Sequence, residues 1–595
     1  MASLVLGPVQ RHIDATSVTI WVETGSPGLV EVMTLAGPDV PAGGTGPAGT
    51  DALAASGRRP AAGGSAHTFT VGGHHYAVVT VGGLSAGTAW PYQVRLDGEP
   101  VWPLPGEPPS MLRPAPSSAS PRPLTLAFGS CRVTAPQDKP YTLNSDEHTS
   151  GLGTDALHAL ALDLRDQYGE PGRAAGDPTP DALLLLGDQV YADHVSPETL
   201  AWIRRRRDTT VAPGEEIADF EEYTRLYAEA WSQPEIRWLL STVPTAMVFD
   251  DHDVRDDWNI SSSWRAEIRS QTWWDDRITG GIMAAWLYQH LGNLSPAQRA
   301  SDPMFAALTG PDGTGAEPRQ ATDALRAFAR RSDARADGVR NDDIRWSYRW
   351  DLGRTRLVVI DSRSARVVSP DGRRVMVADA EWDWVIGQTH QDGDVDHLLL
   401  ATSLPYLLSP GIHWVEAASE ALASGSRGRF VARQAEKLRQ RIDLEHWSAF
   451  GESFAAMAEL LRGVAAGEHG PAPASVVLLS GDVHHAYLAR ADLPGQRSQV
   501  FQAVCSPFRN PLGKGIRRVD RLARRRLVAG GIRAVAKLAG APDPAIDWQV
   551  TDGPWFESQI AYLDVDGRVI TVRLDKTEPD GTPGGLDEVL RARLT

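Results

Sequence analysis

The chain has 595 residues, too many for one ordinary core, and its apolar share of 42% is close to that of a folded globular protein. A net charge of −16 excludes nucleic acid as the main partner, because a duplex binder needs a basic face overall. Two cysteines, Cys131 and Cys505, imply no disulfide framework and suit a reducing compartment.

The first residues run directly into strand-like alternation, with no basic leader, apolar leader or twin arginine. No segment approaches the roughly 20 apolar residues needed to span a bilayer, so a cytoplasmic location is expected. Ser17–Val22, Tyr76–Val81 and Trp90–Leu96 alternate with period two. Gly, Pro and Ala clusters punctuate them, most heavily between Gly37 and Gly64. These signals predict an N-terminal all-β sandwich over 1–102. The Pro- and Ser-rich stretch 103–123 reads as a linker. From Leu124 to residue 595, apolar runs of strand length alternate with helical periods, which predicts a layered α/β unit. Helices are expected near Thr154–Tyr168, Phe220–Trp231, Asp323–Arg331, Phe430–Ile442 and Ser453–Ala466. A Trp- and Arg-rich stretch at about 259–342 reads as a helical insertion.

The informative residues stand directly after each apolar run. Leu124–Phe128 leads to Gly129-Ser130-Cys131-Arg132, and Ala182–Leu186 to Gly187-Asp188-Gln189-Val190-Tyr191. Thr245–Phe249 leads to Asp250-Asp251-His252-Asp253, Leu357–Ile360 to Asp361-Ser362-Arg363, and Val476–Ser480 to Gly481-Asp482-Val483-His484-His485. A strand buried on both faces can present polar groups only at its ends. Singly, Asp188 is more often a turn or cap residue than a ligand, and Cys131 more often a small buried hydrophobe. Four ionisable residues directly after a buried strand are costly without a compensating charge, and the joint occurrence points to a metal site. A thiolate at Cys131 would serve as ligand or as nucleophile. The ligand role is preferred because no general base is linked to it and the surrounding acids make sense only around cations.

Read in order, Ser130-Cys131, Gly187-Asp188-x-x-Tyr191, Asp250-Asp251-His252-Asp253 and Gly481-Asp482-Val483-His484 resemble the strand-end motifs of calcineurin-like metallophosphoesterases. The form is that of the PhoD-like alkaline phosphatases, or alkaline phosphatase D family, which share Gly-Asp-x-x-Tyr with purple acid phosphatases. The resemblance extends to the N-terminal β-sandwich and to the strand and Asp-x-Arg loop of Leu357–Arg366. It implies an αββα metallophosphoesterase sandwich, of class α/β, preceded by an all-β domain. It further implies that Cys131 and Tyr191 are anionic ligands of Fe3+ and that Asp188 bridges two metals. Asp251 would hold the second metal, and Asp482 and His484 would complete the two shells. The implied second metal is Ca2+, with Mn2+ or Mg2+ as replacements in a cytoplasm. Where the wider superfamily has one more ligand histidine, the run His397–Thr402 leads to Ser403-Leu404-Pro405.

The expected activity is hydrolysis of phosphomonoesters or phosphodiesters by a metal-bound hydroxide attacking phosphorus in line. The substrate would be a phosphorylated small molecule or polymer. His252 would donate a hydrogen bond to phosphate or protonate the leaving oxygen, and Arg132 and Arg363 would neutralise the equatorial oxygens. Arg366 reads equally as a structural ion pair. The alternative is a metal-stabilised protein that binds phosphorylated ligands without cleaving them. His252 beside the acids speaks against that, since a site with no leaving group gains little from it. Further on, Lys514 to Lys537 holds seven arginines with Asp520 the only acid, in a partly helical apolar pattern. Such a helix (514–537) could contact an anionic membrane surface or collect a polyanion; the plainer reading is a helix packed on the acidic remainder of the chain, or a lid at the cleft mouth. Asp566-Gly567 between two alternating runs predicts a closing hairpin.

Overall fold

In the computed structural model the described residues are 3–35, 62–169, 179–390, 395–425, 427–578 and 585–595. Most of the stretch from Gly37 to Gly64 lies outside them. Two antiparallel sheets form from the N-terminal region. Leu4–Ile13, Ser17–Thr24, His74–Gly82 and Phe69–Val71 pair in that order, and Leu29–Thr34 pairs with Gly63–His67 and Trp90–Leu96 in the second. The period of two sorts each strand between two cores. Val18, Ile20 and Val22 face Val30, Val32, Val94 and Trp90 between the sheets. Trp21, Tyr76 and Phe69 face the opposite way, into a second core with helices from later in the chain. Ser17–Thr24 is therefore buried at every position.

The stretch 103–123 is held in place rather than spanning open space. Met111–Leu112 pairs with the start of Trp90–Leu96. Ser110 accepts from the Trp102 indole at 2.9 Å and lies 2.6 Å from the Ser241 hydroxyl.

Two further sheets build the larger part of the chain. Thr245–Val248, Ala182–Leu186 and Leu124–Gly129 are parallel and continue into the antiparallel strands Gln559–Asp566, Val569–Thr577 and Leu586–Arg593. The turn at Asp566-Gly567 closes the expected hairpin. The other sheet runs Tyr348–Leu352, Thr355–Val359, His397–Ala401, Ser475–Ser480, Gln499–Val504, Ala486–Asp492 and Asp547–Trp555, with its four central strands parallel. Leu126, Phe128, Leu184 and Leu186 meet Leu357, Val359, Leu399 and Val477 between the sheets.

The outward faces are covered by helices. Leu183, Leu185 and Met247 lie against Ala156–Gly169, Phe220–Trp231 and Pro234–Thr242. Val358, Leu398 and Leu478 lie against Asp379–Thr389 and Gly451–Ala466. The result is an αββα sandwich with all-β sheets before it. Leucines buried on both faces, each worth about 1.5–3 kcal/mol, explain why these strands read as continuous apolar runs. The Trp-rich stretch 259–342 is helical, and Trp286, Leu287 and Tyr288 are core. It ties the N-terminal sheet to the larger one: Tyr288 donates to Glu23, Arg299 to Thr19 and Thr80, and Asn293 to the Met247 carbonyl at 2.7 Å. Among the described residues no helix is long and apolar enough to cross a membrane.

Candidate metal centre

All five ionisable strand ends leave parallel strands, and the register brings them to one edge. Gly129 pairs with Leu185 and Leu186 with Val248 in one sheet. Val359 pairs with Ala401, Ala401 with Leu479, and Ser480 with Val504 in the other. The loops beyond them then bond across the gap between sheets: the Asp482 amide donates to Ser130 Oγ at 3.0 Å, and Ser506 Oγ to Cys131 Sγ at 3.1 Å. Two glycines permit this approach. A Cβ at Gly481 would lie 2.0 Å from Ser130 Oγ, and one at Gly187, where φ is +107°, 2.7 Å from Asp250 Cβ.

The convergence of the loops costs backbone strain. Cys131, Asp188, Asp482 and His484 have φ of 57°, 50°, 66° and 53°, a region that costs a side-chain-bearing residue about 1–3 kcal/mol. Four of the six expected ligands thus sit in conformations that local preference opposes.

Ligand atoms of Cys131, Asp188 and His484 lie within 4.8 Å of one another. The same holds for Asp188, Asp251 and His252, and for Asp250, Asp251 and Asp482. The Tyr191 hydroxyl donates to Asp188 Oδ2 at 3.3 Å. Shared members join these groups, so all six expected ligands fall in one cluster, with Asp250 added. Asp188 Oδ1 and Asp250 Oδ2 are buried without a hydrogen-bond partner, and Asp251 Oδ1 meets only Arg363, at 3.2 Å.

Burial pushes Asp188 and Asp251 well above the ordinary carboxylate range and Asp250 up to about 6; neighbouring acids add to this while His252 and Arg363 oppose it. Cys131 and Tyr191 are also pushed up, by burial first and then by Asp188. Such a set holds its negative charge only if a cation joins it. Carboxylate and phenol oxygens with a thiol and an imidazole are a donor set that fits one or two multivalent cations.

Supporting contacts orient the donors. His484 Nδ1 donates to the Asn510 carbonyl at 2.7 Å, leaving Nε2 as the ligand atom. His252 Nδ1 lies 2.9 Å from Asp193 Oδ2, while its Nε2 is 3.8 Å from Asp256 Oδ1, beyond hydrogen-bond reach. Burial opposes charge on His252, but the bond to Asp193 and the nearby Asp188 and Asp251 prevail and hold it well above the usual imidazole range. Asp253, inside the Asp-Asp-His-Asp motif, is a clamp: its Oδ1 accepts from the Gln189 and Val190 amides at 3.1 Å each, and Oδ2 from the Asp250 amide at 2.9 Å.

Two further residues of the site, Asp193 and His446, carry little signal in the sequence. Asp193 stands two residues past Tyr191, and that proximity is the usable clue. His446 follows no strand, yet its Nε2 lies 3.1 Å from Asp482 Oδ2 and its Nδ1 2.6 Å from Glu416 Oε1. His485 stays outside the ligand groups and donates from Nδ1 to the Val483 carbonyl.

The two expected phosphate arginines are placed differently. Arg132 turns away from the cluster, with Nε 2.9 Å from Asp155 Oδ2 and its terminal nitrogens on the Ala230 carbonyl and Gln233. Arg363 reaches the cluster but is fully buried, bound to Asp250 and to both oxygens of Glu445. Protein acceptors occupy both guanidinium groups, so neither offers the bidentate contact expected of it; a buried cation takes the nearest buried anion. Arg366 is a buried ion pair with Glu445 at 3.1 Å.

An αββα sandwich with acids, histidines, a thiol and a phenol at adjoining strand ends is the architecture of a metallophosphoesterase. A family model described as PhoD-like phosphatase matches residues 166–290, which contain the motifs at Gly187–Tyr191 and Asp250–Asp253. Residues 166–290 thus match the family model that the motif series implied. Residues 1–42 and 50–115 match a model described as a domain of unknown function, DUF7800. No curated protein matches the chain. A solved structure of PhoD superposes with a TM-score of 0.53 at 13% identity, covering 99% of this chain and 89% of that one, and shares its fold. A purple acid phosphatase from yellow lupin (Lupinus luteus) seeds gives a TM-score of 0.47 at 8% identity, covering 98% and 73%.

Proposed function

We propose that the protein is a metal-dependent phosphoesterase that hydrolyses phosphomonoesters or phosphodiesters. The observation carrying this reading is the single buried cluster of Cys131, Asp188, Tyr191, Asp251, Asp482 and His484, in which Asp188 keeps an oxygen without a partner. Cys131, Tyr191 and His484 would hold Fe3+, Asp251 and Asp482 would hold Ca2+, and Asp188 would bridge them. Mn2+ or Mg2+ would suit the all-oxygen side equally. Bound there, the cations would supply an activated water and positive charge for in-line displacement at phosphorus.

The chain's own residues supply the rest. Tyr191 and His484 are fixed by Asp188 and by the Asn510 carbonyl, so the donors need little rearrangement. His252, kept protonated by Asp193, stands beside Asp188 and Asp251 to donate to a phosphoryl oxygen or to the leaving oxygen. With Arg132 and Arg363 committed elsewhere, the donor left to meet substrate beside Asp188 and Asp251 is His252 Nε2, whose ion-pair contact is Asp256 Oδ1, at 3.8 Å.

Elemental analysis of the purified protein, read with its visible absorption, tests the assignment. Iron with a charge-transfer band that disappears in Tyr191→Phe is the expected result. No stoichiometric metal, and no activity on adding Fe, Mn or Ca, would replace it with non-catalytic binding of phosphorylated ligands.

A further inference from the structure

We propose that the helices Lys514–Ala523 and Arg526–Ala539 dock the protein onto an anionic lipid surface beside the metal cluster. From Lys514 to Lys537 the chain carries nine lysines and arginines against Asp520 alone, within a protein of net charge −16; Arg533 and Lys537 pair with Asp543 at 3.0 and 2.8 Å, so the surface charge rests on the others. Lys514, Arg518, Arg521 and Arg525 are exposed.

The second helix has two apolar faces. Ile532 and Ala536 pack with Trp414. Leu527, Val535 and Leu538 are 92%, 64% and 75% exposed. At the helical advance of about 100° per residue these three share a stripe roughly 80° wide. Ile516 on the first helix is also exposed, as is Phe430. Arg427 donates to the Leu538 carbonyl, which draws the start of Arg429–Arg439, and Phe430 with it, towards the end of the stripe.

Isolated exposed leucines need no explanation, but a row of them beside a run of cations is the pattern of an interfacial helix. A soluble polyanion would use the cations and leave the apolar stripe in water. A second copy of the chain would cover the stripe but bring two basic faces together. An anionic bilayer uses both, taking up the leucines and attracting the arginines to headgroup phosphates.

The surface adjoins the site. The helix comes after the loop whose Asn510 carbonyl holds His484, and Arg524 donates to His485 Nε2 at 2.7 Å while lying over Tyr487. Docking would set the rim of the cluster against the headgroups.

The test is co-sedimentation of the full chain with vesicles of phosphatidylcholine, alone or with about one-third phosphatidylglycerol, at about 0.1 M salt. Binding should need the anionic lipid and weaken in high salt. It should fall about fivefold for each of Arg518→Ala and Arg525→Ala, and about tenfold for each of Leu527→Ser and Leu538→Ser. These residues lie outside the metal cluster and are exposed, so circular dichroism and the thermal unfolding midpoint, unchanged from wild type, serve as the folding control. No binding to anionic vesicles, or binding that the leucine variants leave unchanged, overturns the proposal. Capture of soluble polyphosphate without vesicle binding overturns it in favour of a polyanion collector. Dimerisation abolished by Leu527→Ser, again without vesicle binding, assigns the stripe to a second copy. Vesicle binding needs no turnover, so its outcome is independent of the phosphoesterase reading.

Discussion

Replacing Asp188 with Asn should move the metal-free and metal-loaded proteins in opposite directions. Asp188 Oδ1 has no partner, and Asp250, Asp253 and Asp482 all raise the cost of ionising this buried carboxylate. Asparagine keeps an acceptor for the Tyr191 hydroxyl and removes the charge. An unpaired buried carboxylate costs about 1–3 kcal/mol, so the metal-free variant should gain about that much. The gain has a pH sign. Asp188 has its folded pKa raised, so the wild type suffers no penalty below the ordinary carboxylate range and an increasing one as pH rises towards neutrality. The advantage of asparagine should grow over the same interval.

Metal at about 100 times its dissociation constant should stabilise the wild type by about 2.7 kcal/mol, and the variant should lose most of that response. With an unfolding entropy of about 2 cal/mol/K per residue, 1 kcal/mol corresponds to roughly 1 °C in a chain of 595 residues. Shifts of about 1–3 °C are therefore expected, within reach of scanning calorimetry on chelator-treated and metal-reloaded protein. A variant that melts lower than wild type without metal, or that responds to metal as wild type does, would refute the reasoning.

Arg132→Met should remove the ion-pair partner of Asp155, leaving it Gln137 and the Leu157 and His158 amides, and cost about 1–3 kcal/mol in denaturant unfolding, with KM unchanged in the folded fraction. A raised KM at unchanged stability would return Arg132 to the substrate. His74, 2.7 Å from Glu23 and 3.0 Å from Glu221, joins the N-terminal sheet to the helix Phe220–Trp231. Burial opposes its charge, but the two carboxylates raise it to about 9, so its stabilisation is complete below the ordinary imidazole range and lost as pH rises through about 9. Discounted for its partial exposure, His74→Gln should cost about 1–2 kcal/mol near pH 6 and nothing near pH 10. A cost that does not change with pH would rule out the ion pair as its source.

The sequence made the strands and the candidate ligand loops legible for one physical reason. Parallel strands covered on both faces must be apolar throughout, so Ala182–Leu186 or Ser475–Ser480 announces itself, and the first polar residue beyond it falls at the edge where loops converge. That rule drew attention to the loops holding Cys131, Asp188, Asp250–Asp253 and Asp482–His485 without knowledge of the sheet order, and the motif resemblance then singled out the expected ligands among them. It could not give side-chain direction. Arg132 and Arg363 stand at strand ends as the ligands do, but a guanidinium reaches several ångströms and settles on whichever buried anion is nearest, Asp155 for one and Asp250 with Glu445 for the other. His446 lies on no strand at all, so only the fold brings it to Asp482. The stretch 103–123 misleads for a related reason: proline and serine mark chain that avoids regular structure, and say nothing of whether it is packed.

Two costs coincide at the cluster, and neither is visible in sequence. Left-handed backbone at Cys131, Asp188, Asp482 and His484 opposes local preference, and unpartnered oxygens on Asp188 and Asp250 oppose burial. A chain selected for stability alone would relieve either cost position by position, with glycine for the first or asparagine for the second. Arg363 shows that the fold can supply an internal cation where one suffices, since it satisfies Glu445 completely and Asp250 in part. It leaves Asp188 unserved, and Asp188 is an acid that two of the ligand groups share. The uncompensated charge therefore lies at the centre of the cluster and not at its edge, where a cation from outside the chain would meet the most donors.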